Sequence, residues 1–309
     1  HRRVAFGIFA PSYSRQPDRV SAWGGTPSPG RGQPSMSELV ADTSGTGPAV
    51  VLLHGQPGGR GDWKPVARLL EREFLVVAPD RPGYGDTGGR ARGFRGNAAA
   101  VVSLLDNLGV DRATIVGYSW AGGVALAMAE VVPDRLTGLV LVSSVGPGEP
   151  LSRLDRILAV PPIGMSVTAT GLFLASTAMS IPLVRRAIRR RHRQAISRAV
   201  DADDQAACPP APEAVVTLWR SNRVWQSFVT EQRCLVDELP LLAPGLAAIT
   251  VPTVVMVGDA DRTVPPATGR RLAAAIADAR LVELAGAGHL LPHLRPDAVA
   301  AAVRDLTPR

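Results

Sequence analysis

The stretch from Ala113 to Glu130 constrains the fold more than any other part of the chain. Ala113–Tyr118 is apolar and partly β-branched, as a buried strand is, and Val124–Glu130 is rich in helix formers. Between them, Gly117-Tyr118-Ser119-Trp120-Ala121-Gly122 leaves room only for a tight turn with a serine at its centre. Strand and helix pass close to each other at such a turn, which calls for small neighbours. Ala121 stands where the usual pattern has glycine, and Gly122 follows at once. The turn has the layout of a nucleophile elbow and presents Ser119 as an exposed candidate nucleophile.

The flanking chain repeats the strand–helix rhythm. Ala49–His54, Phe74–Pro79, Leu136–Ser143, Thr253–Gly258 and Arg280–Leu284 read as further strands. Helices are predicted at Asp62–Glu73, at Phe94–Leu108 with Val101, Leu104, Leu105 and Leu108 at helical spacing, at Trp120–Val132, at Pro265–Ala277 and at Pro292–Leu306. Continuous apolar strands alternating with helices argue for a parallel sheet covered on both faces. The rhythm breaks from Gly148 to Ile249, which reads as helical with prolines at its joints. The expected organisation is a core of residues 36–147 and 250–309 interrupted by a helical cap at 148–249.

Only five histidines are present, His1, His54, His192, His289 and His293. His289 follows the Arg280–Leu284 strand in Ala285-Gly286-Ala287-Gly288-His289. The Thr253–Gly258 strand ends in Asp259-Ala260-Asp261. Serine, aspartate and histidine thus occur in the chain order of a hydrolytic triad on an α/β sheet, each beyond the carboxyl end of a strand. Two aspartates, Asp259 and Asp261, compete for the middle place.

Five segments in order carry a specific resemblance: His54-Gly55-Gln56-Pro57-Gly58, Asp80-Arg81-Pro82-Gly83-Tyr84-Gly85, the elbow, Gly258-Asp259-Ala260-Asp261 and Gly286-Ala287-Gly288-His289. On these the chain resembles the α/β-hydrolase superfamily from about Pro48 to Leu306. The resemblance implies an α/β fold with a mostly parallel, doubly wound sheet and a helical cap inserted after the sixth strand. It implies Ser119 as nucleophile and His289 as base. Asp261 is the acid by that resemblance, since the family's acid sits three or four residues before the Val-Pro that opens the next helix, here Val264-Pro265. The backbone N–H groups of Gln56 and Trp120 would form the oxyanion hole, with the Gln56 side chain facing the pocket. His54 would buttress that loop, His293 would lie at the surface or behind the site, and Asp80 and Arg81 would belong to a structural loop. Trp219, Trp225 and Phe228 are expected in the cap core.

A serine at the elbow argues against relatives such as epoxide hydrolases and haloalkane dehalogenases, which place an aspartate there. It suits acyl transfer, and the expected activity is hydrolysis of a small, fairly apolar carboxylic ester or lactone through an acyl-enzyme. Alternatives are a prolyl iminopeptidase-like or C–C bond hydrolase, a perhydrolase side activity, and a non-catalytic ligand-binding or biosynthetic accessory protein on the same fold. No nucleotide, flavin or metal-ligand motif occurs, so no cofactor is expected.

The chain has 309 residues and a net charge of +7. Residues 1–35 hold five arginines against one aspartate, so part of the basic balance is a terminal effect and a nucleic-acid partner is not expected. Those residues are rich in Pro, Gly and Ser, and Met36 is a plausible start. They read as a disordered leader or an over-long start, dispensable for activity. Cys208 and Cys234 are expected as free thiols of a cytoplasmic enzyme, a monomer or homodimer. Ile163–Val184 carries no charge and precedes an arginine run. Its Pro182, Gly164, Gly171 and hydroxyl side chains favour cap helices lining an apolar pocket over a membrane span, and the arginines favour a solvated helix face.

Overall fold

The computed structural model describes residues 38–148, 153–197 and 224–307. The leader, Cys208 and Trp219 lie outside the described residues. Seven strands form one sheet: β1 (Ala41–Ser44), β2 (Ala49–Leu53), β3 (Leu75–Pro79), β4 (Ala113–Tyr118), β5 (Leu136–Val142), β6 (Thr253–Gly258) and β7 (Arg280–Leu284). Their spatial order is β1-β3-β2-β4-β5-β6-β7. Among the described residues only β1 runs antiparallel, on the edge beside β3; every other pairing is parallel.

The continuous apolar strands follow from two covered faces. Along β2, Val51 and Leu53 join one hydrophobic cluster while Val50 and Leu52 join the other. In β4, Ile115 and Val116 divide in the same way. Successive side chains leave a strand on opposite faces, so a strand buried on both must be apolar throughout. One face is covered by α2 (Phe94–Asn107) and α3 (Ala121–Val131), the other by α1 (Lys64–Leu70) and α10 (Pro296–Leu306). Helix α8 (Pro266–Ala275) adds to the first face and the short α9 (Leu291–Leu294) to the second.

Between β5 and β6 the chain forms a helical insertion. Its described parts are α4 (Arg153–Ala159), α5 (Pro161–Ser180), α6 (Pro182–Ser197), α7 (Val224–Asp237) and a 3₁₀ stretch at Leu239–Ala248. Proline opens α5 and α6, where its missing N–H costs nothing. The insertion follows the fifth described strand, not the sixth, because a single strand precedes β2 on the sheet edge among the described residues.

Two predicted helices are broken. The segment expected as Asp62–Glu73 is a 3₁₀ turn at Arg60–Trp63 followed by α1, since Pro65 fits only the first turn of an α-helix. The segment expected as Pro292–Leu306 divides into α9 and α10 at Arg295, whose backbone (φ −139°, ψ 50°) is non-helical before Pro296.

Candidate active site

Strand order reverses around β2: β3 lies on one side of it and β4 on the other. Loops leaving the carboxyl ends of strands at such a point diverge and open a crevice. The loop after β2 carries His54–Pro57, and the turn after β4 carries Ser119 and Trp120. The two meet closely. A Cβ on Gly55 would lie 3.0 Å from the Ser119 Cβ and 3.1 Å from the Tyr118 ring, so any larger residue there would push its neighbours back by a few tenths of an ångström.

Ser119 has φ 54°, a left-handed conformation that serine rarely adopts. The fold holds it there. Its N–H donates to the Val142 carbonyl at 2.9 Å, and its own carbonyl accepts from Gly122 N–H at 3.0 Å and Val145 N–H at 3.1 Å. Behind it, a Cβ on Gly117 would sit 2.7 Å from the Ala121 oxygen and 2.8 Å from the Ala125 Cβ, so α3 packs directly on β4.

The loops after β6 and β7 bring the other two candidates to the serine. His289 Nε2 lies 3.0 Å from Ser119 Oγ, and its Nδ1 lies 2.7 Å from Asp261 Oδ2. All three residues are buried. The second carboxylate oxygen of Asp261 accepts from the N–H groups of Thr263 at 2.8 Å and Val264 at 3.0 Å, which fixes the direction of the carboxylate. Asp259 is turned elsewhere: it accepts from Gly286 N–H at 2.7 Å and braces the loop that leads to His289. Both aspartates thus face the loop after β7, Asp261 at the His289 ring and Asp259 at the Gly286 N–H. The Tyr118 ring packs at 5.3 Å from the His289 ring, and burial, with the Asp62 and Asp261 carboxylates nearby, pushes the Tyr118 hydroxyl well above its ordinary range.

The backbone N–H groups of Gln56 and Trp120 have no acceptor among the described residues. Trp120 follows the serine directly, and Gln56 follows Gly55, the residue that approaches the serine. The Gln56 side chain is directed at the insertion rather than left over for the pocket, donating to the Phe228 carbonyl of α7 at 2.8 Å. Trp225 and Phe228 are half-buried rather than core, because α7 turns Val224, Ser227, Glu231 and Cys234 inward instead.

Sequence reasoning missed a buried network beneath this loop. Arg81 is 1% exposed, and its guanidinium donates to the carbonyls of His54 at 2.9 Å and Gly55 at 2.8 Å. It also pairs with Glu231 of α7, likewise fully buried, to which the Tyr84 hydroxyl donates at 2.6 Å. The same guanidinium lies over the Trp120 ring, 4.6 Å from its centre, and the Trp120 indole donates to the Glu231 carbonyl at 3.0 Å. Burial raises the Glu231 carboxyl, opposed by the charge of Arg81. Arg81 N–H donates to His54 Nε2 at 3.0 Å, which leaves the proton on Nδ1, facing the Gly55 carbonyl at 2.9 Å. Burial and the Arg81 charge hold His54 well below its ordinary value, so the ring is neutral. His293 is buried on α9, near Asp62, so it is not at the surface. Cys234 is buried and forms no disulfide. Among the described residues no three His, Cys, Asp or Glu side chains are grouped to hold a metal, and no helix is long and apolar enough to cross a membrane.

Known proteins share this architecture. The chain is 29% identical over 267 residues to haloalkane dehalogenase 2 of Mycobacterium tuberculosis, covering 84% of this chain and 87% of that protein. It is 28% identical over 259 residues to the 2-hydroxy-6-oxo-6-phenylhexa-2,4-dienoate hydrolase of Comamonas testosteroni, covering 80% and 82%. Among solved structures, a thermophilic esterase from Thermogutta terrifontis superposes with a TM-score of 0.62 at 26% identity, covering 86% of this chain and 92% of that one. Residues 50–302 match the Alpha/beta hydrolase family. Sheet order, elbow and sequence match agree: the chain belongs to the α/β-hydrolase family.

Proposed function

We propose that the protein is a serine hydrolase that cleaves a small, fairly apolar carboxylic ester or lactone through an acyl-enzyme. The observation that carries this reading is the continuous relay from Ser119 Oγ to His289 at 3.0 Å and on to Asp261 at 2.7 Å. A serine hydroxyl is a weak nucleophile until a base takes its proton. His289 Nε2 takes that proton as Oγ attacks the carbonyl carbon, and Asp261 holds the Nδ1–H and stabilises the imidazolium. The oxyanion forms between the free N–H groups of Gln56 and Trp120, the latter at the N-terminal end of α3, where the helix dipole is positive. His289 then returns the proton to the leaving oxygen, and a water molecule repeats the sequence on the acyl-enzyme.

The nucleophile separates this reaction from dehalogenation. Attack by a serine oxygen on an alkyl carbon would leave an ether with no carbonyl for water to add to. Attack by a carboxylate leaves an ester, which water can cleave. The similarity to the Thermogutta esterase supports an ester substrate. A second reading, hydrolysis of a carbon–carbon bond beside a ketone, has the Comamonas hydrolase in its favour, and the same serine, base and oxyanion donors would serve it.

Turnover of p-nitrophenyl acetate and butyrate, with labelling by a fluorophosphonate, tests the proposal. Ser119→Ala is expected to abolish labelling and to lower kcat by about 10⁴ or more. Turnover that persists in Ser119→Ala, or a folded wild-type protein that neither turns over nor labels, would overturn it.

A further inference from the structure

We infer that the α5–α6 face of the insertion is a docking surface for an anionic lipid bilayer. Residues 156–200 contain eight arginines and no aspartate or glutamate, which exceeds the net charge of the entire chain, +7. The remaining residues together are therefore near neutral, and six of the eight arginines lie on α6. On α6, Val184 and Ile188 are half-buried against the protein, while Arg185, Arg186 and Arg190 point outward.

The same two helices expose large apolar side chains. Leu183 is 80% exposed, Phe173 69% and Leu174 60%, and Ile181 lies between them at the joint of the two helices. Along α5, Ile163, Val167 and Leu174 recur at helical spacing and are all exposed, with Phe173 beside them. Scattered exposed leucines need no explanation, but exposed apolar side chains on a cationic helix and on the helix joined to it are the pattern of an interfacial surface.

The charge decides the occupant. A second copy of this chain would bring two arginine clusters together, so self-association through this face is opposed. A nucleic acid would satisfy the guanidinium groups but leave Leu183, Ile181 and the α5 row in water. A bilayer rich in anionic phospholipid meets both demands. Its phosphates accept from arginine, and its acyl boundary takes up the apolar tips.

Co-sedimentation of the full chain with vesicles tests the inference. The vesicles are phosphatidylcholine alone, or phosphatidylcholine with about one part in three phosphatidylglycerol. Binding is expected to the anionic vesicles, weakening as salt rises from about 0.1 M to about 0.5 M. Arg185→Gln/Arg186→Gln/Arg190→Gln is expected to lower partitioning on the order of a hundredfold, and Phe173→Ser/Leu183→Ser on the order of tenfold. Circular dichroism establishes that each variant is folded, and turnover of a water-soluble ester stays at the wild-type level. The basic leader is the same in every protein, so differences report this face. A folded wild type that stays in the supernatant, an arginine variant that sediments like the wild type, or equal binding to neutral vesicles would overturn the inference. So would retention by a DNA duplex without retention by vesicles.

Discussion

At the scale of single residues, two aspartates two positions apart have acquired different work. Asp261 orients His289, and its other oxygen is held by two backbone N–H groups. Asp259 only ties down the Gly286 loop. Replacing Asp261 by asparagine keeps the shape but removes the charge that favours the imidazolium and allows the wrong tautomer. Its kcat on p-nitrophenyl butyrate should fall by about 10⁴, as in other Ser-His-Asp systems. Asp259→Asn should stay within about tenfold of wild type, because only the support of a loop is touched. Equal losses in the two variants would contradict the assignment. The sequence order alone left both aspartates in play, since both follow the same strand. The family resemblance chose Asp261, and the loop geometry supplies the physical reason.

At the scale of elements, α7 is locked to the loop after β2. Arg81 sits between them, donating to the His54 and Gly55 carbonyls on one side and to Glu231 on the other. Removing one member of a buried ion pair leaves the other charge without compensation, whereas removing both together does not. Glu231→Ala is expected to lower stability by about 3–5 kcal/mol in urea unfolding, and Arg81→Met/Glu231→Leu should recover most of that loss. A single variant within about 1 kcal/mol of wild type would show that the pair does not clamp the insertion. None of this was legible in the sequence. Arg81 and Glu231 are 150 residues apart, and a lone glutamate on a helix reads as a solvent-facing charge until the partner element is known. The glycines and prolines were more readable, because their effects are local. The pre-proline break at Arg295 was missed because the apolar spacing runs on past it.

At the scale of the whole molecule, the buried His54 couples stability to pH. Its folded-state pKa lies well below the ordinary 6.5, chiefly through burial and then through the Arg81 charge. Below pH 6.5 the unfolded chain binds a proton there and the folded protein does not. The stabilisation is therefore complete above the unfolded value and is lost as pH falls towards the folded one. Between about pH 7.5 and about pH 5.5 this site alone should remove about 1.4 kcal/mol of unfolding free energy. Urea unfolding at the two values should show that share in the wild type and lack it in His54→Asn. Equal pH slopes would contradict a neutral buried ring.

What the sequence determined by itself is what arises from neighbours along the chain. Strand and helix periods, the sharp turn at Ser119, and the succession of serine, aspartate and histidine beyond strand ends are all of this kind. The strand boundaries at Ala113–Tyr118, Thr253–Gly258 and Arg280–Leu284 follow directly from apolar runs bounded by turn residues. Only the tertiary structure decided that Gln56 reaches α7 and that Arg81 and Glu231 meet beneath Trp120. Those outcomes depend on how separate strand-end loops and a long insertion pack together. Such packing is set by distances across the fold, and no local pattern encodes them.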